Sequence, residues 1–256
     1  MVRTKNVSVK NKVPEYLLPE NRHFRARVNQ FSRMSMLNNI DDYVDPRDWE
    51  KLLDSQLGGV VRMAHTVKFS AQIVHYALER QVTSEKEWET WYRIKGKHRR
   101  FSLKEFALVT GLRCSKPAAT EMEEDEKAIK DFFGSEKMTV GELETELKNS
   151  VMLMRSPRRR FKLVLLYIVE GVLLGEDQRK GLRSWIVRLV ENVDRFLAFP
   201  WGRVIYCATH VSLNGAVKRR EAEIKAEDRK RRNGYGLMGY PVSFQVTFST
   251  TPMMKL

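Results

Sequence analysis

The sequence predicts a mainly α protein, a single helical domain carrying one small β-hairpin. Three observations lead there. Two capping boxes mark helix starts, apolar residues recur at helical spacing through most of residues 20–232, and aromatic and β-branched residues flank a single glycine-centred reversal, Lys95-Gly96-Lys97.

Residues 1–19 are polar, basic and interrupted by Pro14 and Pro19, the pattern of a flexible arm. After Pro19, the spacing of Phe24, Val28 and Phe31 predicts an amphipathic helix. Asp45-Pro46 opens the next one, with Asp as cap, Pro at the first helical position and Trp49, Leu52 and Leu53 as its buried stripe. Gly58-Gly59 interrupts the pattern before a helix marked by Phe69, Ile73, Val74, Tyr76 and Ala77, which leads through Thr83-Ser84 to the hairpin.

Ser102 and Glu105 have the S-x-x-E spacing in which the hydroxyl accepts the N–H of the third helical residue and the carboxylate accepts the N–H of the cap residue. A helix therefore starts at Leu103, with Phe106, Ala107 and Thr110 on its stripe and Gly111 as a left-handed stop. Residues 115–137 read as a variable surface loop with an acidic run, Glu121, Glu123, Glu124, Asp125 and Glu126, which if mobile would screen basic segments. Thr139 and Glu142 repeat the capping-box spacing.

Residues 160–174 are apolar almost all round, as expected of a central buried helix, and end near Gly175. Residues 181–197 form the cleanest amphipathic pattern, with Ile186, Leu189, Val190, Val193, Phe196 and Leu197 opposite Arg188, Glu191 and Arg195, and Pro200-Trp201-Gly202 as terminator. Residues 203–210 are another apolar segment. Beyond Asn214-Gly215, residues 216–232 have almost no apolar stripe and are expected to project into solvent, and residues 235–256 show no firm period.

Charge is unevenly spread. The 256 residues carry a formal net charge of +14. Residues 1–33 hold eight Lys/Arg and two acids, residues 155–162 five and none, and residues 218–232 eight and four, so the rest of the chain sums to −1. Clustering of that kind suits contact with a polyanion or nuclear import, although solvated arms and helix faces are also commonly charged. The longest apolar stretch, residues 161–174, includes Lys162 and Glu170 and is too short to span a bilayer, so no membrane partner is expected. The N-terminus has no apolar signal core, and two cysteines, Cys114 and Cys207, cannot build a disulfide framework; both facts suggest a reducing, intracellular setting.

The sequence offers no catalytic constellation. Cys207 and His210 stand three apart within an apolar run, where a buried, inert thiol is the ordinary state. Cys114 has Arg113 and Lys116 nearby, a neighbourhood that chance also produces. His23, His65, His75, His98 and His210 show no metal-binding spacing, and neither phosphate-cradling glycine motif is present. The expectation is a non-enzyme without metal or cofactor.

Basic clusters are the candidate sites. Lys95, Lys97, Arg99 and Arg100 lie at the hairpin beside Trp91, Tyr92 and Phe101, combining phosphate-pairing charge with rings that either stack on bases or belong to the core. Arg158, Arg159 and Arg160 either meet phosphates or lie in a polar segment before a buried helix. Lys218, Arg219 and Arg220 with Arg229, Lys230, Arg231 and Arg232 resemble a bipartite nuclear-localisation pattern with a slightly short spacer.

The motifs RFSLKEFALVTGLRC at residues 100–114 and RFLAFPWGR at residues 195–203 resemble the plant domain of unknown function numbered nineteen eighty-five. The resemblance runs from about residue 24 to residue 245, through FSAQIVHYALERQV and KLVLLYIVEGVLL, and divides the chain into an arm at 1–19, a domain at 20–245 and an atypical tail at 246–256. Gly239-Tyr240-Pro241 begins like the family's ending, but VTFSTTPMMKL departs from it. The resemblance implies a transposable-element-associated domain that often precedes a Ulp-type SUMO-protease-like domain, and it carries over no functional residues. The expected role is a nuclear, non-enzymatic contact with nucleic acid or chromatin through the basic blocks. The alternative is a protein-interaction module that positions a SUMO-protease-like partner.

Overall fold

The computed structural model describes residues 14–23, 26–226 and 234–249. Helix dominates, as expected. Helices α1 (Pro46–Asp54), α2 (Gly58–Thr66) and α3 (Ala71–Leu78) lead into a three-stranded antiparallel sheet of β2 (Gln81–Val82), β3 (Thr90–Ile94) and β4 (Lys97–Phe101). Helices α4 (Leu103–Thr110), α5 (Ala128–Phe133), α6 (Val140–Asn149), α7 (Pro157–Tyr167), α8 (Ser184–Val190), α9 (Val193–Ala198) and α10 (Trp201–Lys225) follow, and α11 (Pro241–Ser249) closes the described chain. Outside this sheet, β1 (Arg27–Gln30) pairs in parallel with β5 (Gly234–Leu237). One continuous core joins Leu18 to Phe248.

Local cap chemistry places three helices where the sequence puts them. Asp45 accepts the N–H of Asp48 at 2.9 Å to start α1, and complete capping boxes at Ser102/Glu105 and Thr139/Glu142 start α4 and α6. Gly111, at φ 71°, stops α4.

The centre is α7 and its continuation. Every residue from Phe161 to Leu174 is buried, as an all-round apolar pattern requires. Residues Ile168–Leu173 widen into a π turn, and the N–H of Leu174 bonds the carbonyl of Val169 at 2.8 Å. The wider turn exposes the Gly171 carbonyl to an outside donor, Arg33 N–H at 3.1 Å, while the Tyr167 ring packs where a side chain on Gly171 would sit. Gly175 ends the element at φ 49°, so close to the Gly239 carbonyl that a Cβ would lie 2.4 Å from it.

Five expectations are corrected. The helix expected at Phe24, Val28 and Phe31 is strand β1, because β5 supplies a partner from the far end of the chain; Phe24 itself lies outside the described residues. The single helix expected at 181–197 is two, since Asn192 accepts the N–H of Arg195 at 3.0 Å and caps a new start. The acidic stretch is no loose loop. Glu124 accepts the N–H of Ser184 at the start of α8, Glu121 pairs with Arg195 at 3.2 Å, and Arg188 donates to three carbonyls of the segment. Residues 216–225 continue α10, with Ala216, Val217 and Arg220 buried instead of projecting; residues 227–232 lie outside the described part. In the expected arm, residues 15–17 add to the sheet edge through Thr83 N–H to Glu15 and Leu17 N–H to Gln81, both 2.9 Å, and residues 1–13 lie outside the described part.

The C-terminal segment without a firm period becomes β5 and α11. Gln245 ties α11 down by accepting the Ser70 N–H at 2.6 Å and donating to Lys68 at 2.9 Å. Of the tail expected at 246–256, residues up to Ser249 are helical with Phe248 buried, and residues 250–256 lie outside the described part.

Candidate nucleic-acid interface

The hairpin reverses through two residues, Lys95 and Gly96, at φ 49° and 73°. Two successive positive φ values are the requirement of a type I′ turn, whose twist matches that of the strands it joins. The sequence assigned that burden to glycine alone, and Lys95 shares it. Register follows: Ile94 faces Lys97, Arg93 faces His98, Tyr92 faces Arg99, Trp91 faces Arg100 and Thr90 faces Phe101.

Strand alternation then sorts the side chains. Tyr92 and Phe101 lie on the core side, where each packs edge-on against Phe244 at 5.2 Å, so two of the three candidate stacking rings belong to the core. Trp91, Arg93, His98 and Arg100 share the opposite face. Lys95, Lys97 and His98 are exposed, whereas Trp91, Arg99 and Arg100 are half-buried. Arg100 is held by Glu105 at 2.8 Å and Glu89 at 3.8 Å, and Arg93 stacks over the Tyr16 ring at 4.1 Å. A groove of about 680 Å³ runs along this face, walled by Val82, Trp91 and His98 and closed by Thr83, Ser84 and Lys86. Glu15 and Glu85 also reach it and offset its two basic groups.

The second basic block lies elsewhere. Ser156 caps α7 by accepting the N–H of Arg159 at 3.3 Å, leaving Arg158 exposed in the first turn. Arg159 lies 4.0 Å over the Phe132 ring, and burial holds its guanidinium below the usual range. The Arg160 Nε is buried with no hydrogen-bond partner among the described residues. On α10, Lys218 and Arg219 are exposed, while Arg220 is buried and pairs with Glu223 at 3.1 Å. Arg229, Lys230, Arg231 and Arg232 lie outside the described residues.

The structure thus sets His98 beside Trp91 on the groove wall, leaves Lys95 and Lys97 exposed at the turn with Lys97 opposite Ile94 on the other face, and ties Arg100 and Arg159 into the framework. Lys86, Thr83 and Ser84 were missed as groove residues. Thr83-Ser84, just ahead of the aromatic strand, was the available signal, but their approach depends on β2 pairing with β3.

The thiols are separate from this hairpin. Burial raises the pKa of both Cys114 and Cys207, with Arg203 acting weakly in the other direction. His210 is buried and within 3.1 Å of the Asn214 amide, and burial lowers its pKa. Among the described residues no three His, Cys, Asp or Glu side chains gather as a metal-binding group, and no helix is long and apolar enough to cross a membrane.

No curated protein and no solved structure matches the chain. The model of the family described as Domain of unknown function (DUF1985) matches residues 78–212, from the end of α3 through the hairpin and the buried α7 into α10. That span takes in the hairpin rim and both sequence motifs and exceeds half of the 256 residues, so the chain belongs to this family of unknown function.

Proposed function

We propose that the chain is a non-catalytic nuclear domain that holds nucleic acid by its backbone, with the β3–β4 hairpin as the contact. One observation carries the reading: Lys95 and Lys97 are exposed at the tip of a tight reversal, and His98, next in the strand, is exposed where it lines a groove with Trp91. A phosphate needs a cation that reaches solvent, and an unstacked base needs an aromatic face. The hairpin supplies both. Arg158 is an accessory cation in this scheme, and Arg100 and Arg159 are framework. Contacts of this type position a strand without reading its bases, so sequence preference is weak. A transposable-element origin, implied by the family resemblance, is consistent with work on nucleic acid or chromatin. Nuclear entry through Lys218, Arg219 and Arg229 to Arg232 completes the proposal, and a fusion too large to diffuse through pores should leave the nucleus when these charges are neutralised.

The test is fluorescence anisotropy of labelled single-stranded and duplex oligonucleotides at low salt. Lys95→Ala/Lys97→Ala should weaken both ligands, and Trp91→Ala should weaken the single strand more than the duplex. Folded protein that binds neither would reject the reading in favour of a protein-interaction module positioning a SUMO-protease-like partner.

A further inference from the structure

The turn between α6 and α7 displays four consecutive apolar side chains to solvent. Val151 and Leu153 are each 47% exposed, Met152 is 75% exposed and Met154 is 90% exposed. A polar turn would satisfy the chain equally well, and soluble surfaces seldom carry such a run without use. Met154 also adopts φ 50°, the left-handed region that side chains with a Cβ avoid. The conformation is held from within, since Leu153 N–H bonds Asn149 at 2.8 Å, Met154 N–H bonds Val151 at 3.0 Å, and Arg155 N–H bonds the buried Ser150 at 2.9 Å.

The rim of this knuckle is positive. Arg155 follows directly and remains 43% exposed while holding Glu146 at 3.0 Å. Arg158 is exposed in the first turn of α7, where no acid is present and the helix end adds its own positive potential. The nearby acids Glu144 and Glu146 are mostly covered, at 10% and 19% exposure, and each is already paired, with Arg33 and Lys148 or with Arg155. An approaching partner therefore meets methionine, leucine and valine surrounded by arginine.

We propose that residues 151–154, with Arg155 and Arg158, dock an acidic segment of a partner protein that carries leucine or aromatic anchors between its carboxylates. Unbranched methionine side chains adapt to apolar anchors of varied shape. Guanidinium groups pair with carboxylates through two parallel hydrogen bonds, giving the anchor a fixed orientation. An anionic bilayer is the poorer fit, because residues 151–160 contain none of the aromatic side chains that settle at a membrane interface.

The test pans the full chain against a random peptide library displayed on phage and measures the selected peptides by anisotropy. Selected peptides should combine Asp or Glu with Leu, Phe or Trp. Met152→Ser/Met154→Ser should lower their affinity about tenfold or more, and Arg158→Glu should lower it similarly. Leu108→Ser, at an equally exposed apolar site on α4, should leave affinity unchanged. All four replaced side chains are exposed, and unchanged thermal unfolding confirms that the variants are folded. Peptides without carboxylates, peptides that bind the Met152→Ser/Met154→Ser variant as well as the parent, or failure to select any peptide would overturn the proposal. Knuckle-dependent binding confined to phosphatidylserine vesicles would overturn it in favour of a membrane contact.

Discussion

Arg183 places a guanidinium nitrogen 2.6 Å from the fully buried carboxylate of Glu170. Its backbone N–H donates to the other oxygen at 2.9 Å, and its second guanidinium nitrogen reaches Glu176. Glu170 sits inside the π turn that continues α7, so this contact joins the centre of the molecule to the start of α8.

That burial sets a pH dependence. Desolvation pushes the Glu170 carboxyl up from its ordinary 4.5 to about 7, although Arg183 pulls it down. Between those values the folded chain keeps a proton on Glu170 that the unfolded chain has released, so the Glu170 contribution to stability falls as pH rises through this window and levels off above it. Glu105, Glu142 and Glu144 are held below their ordinary range and act in the opposite sense at lower pH, outside the window, whereas His210, lowered by burial from its ordinary 6.5, opposes Glu170 within it, so the comparison with a Glu170 variant isolates the carboxyl. Glu170→Gln should remove this contribution, which amounts to about 3 kcal/mol across the window. Urea midpoints of the two proteins at either end of the window check this, and parallel pH profiles would sink it.

The α4 cap is a second lever. Ser102 Oγ accepts the N–H of Lys104 at 3.2 Å, and Glu105 accepts the N–H of Ser102 at 2.9 Å. Ser102→Ala should cost about 1 kcal/mol. Glu105→Ala should cost more, because it also removes the main carboxylate partner of Arg100. An order of urea midpoints with Ser102→Ala below Glu105→Ala would show that the Arg100 pair contributes little beside the hydroxyl.

What the sequence could disclose depended on range. The starts of α1, α4 and α6 were legible because Asp45, Ser102 and Thr139 each bond a group two or three residues ahead. Strand β1 was not, since Val28 meets Tyr235 only after the chain has folded, and its local pattern suits either period. Glu121 and Glu124 read as loop acids because Arg195 and Ser184 reach them from distant helices. The hairpin itself was visible from its turn. Which of its cations face solvent was not: Glu105 stood in plain sight as a cap residue, but its grip on Arg100 and the stacking of Arg159 on Phe132 are products of packing.

The cysteines should behave as inert thiols. Both are half-buried and held above the ordinary thiol range, so little thiolate exists near neutral pH. Labelling with a disulfide reagent should be slow in folded protein and accelerate in denaturant. No cleavage of SUMO conjugates is expected. Rapid labelling of Cys207 in the folded chain, or turnover abolished by Cys207→Ser, would revive a catalytic role.

Salt dependence separates phosphate contact from other binding. Each cation that neutralises a phosphate releases counterions, so the logarithm of affinity should fall with the logarithm of salt by about 0.9 per duplex contact and about 0.7 per single-strand contact. Lys95 and Lys97 stand at the exposed turn and Arg158 at an exposed helix start, so each removal should flatten the slope by about one such step. Arg100→Ala is the control: its guanidinium is committed to Glu105 and Glu89, and its loss should lower stability more than it changes the slope. Replacement of Arg220, buried and paired with Glu223, should likewise leave the slope intact. The flattening should be equal for unrelated sequences, because backbone contacts carry no sequence information. Slopes measured for the parent, Lys97→Ala, Arg158→Ala and Arg100→Ala decide the matter. A larger change for Arg100→Ala than for Lys97→Ala would move the contact from the turn to the outer sheet face, and an unchanged slope in all three would remove the hairpin and α7 from the interface.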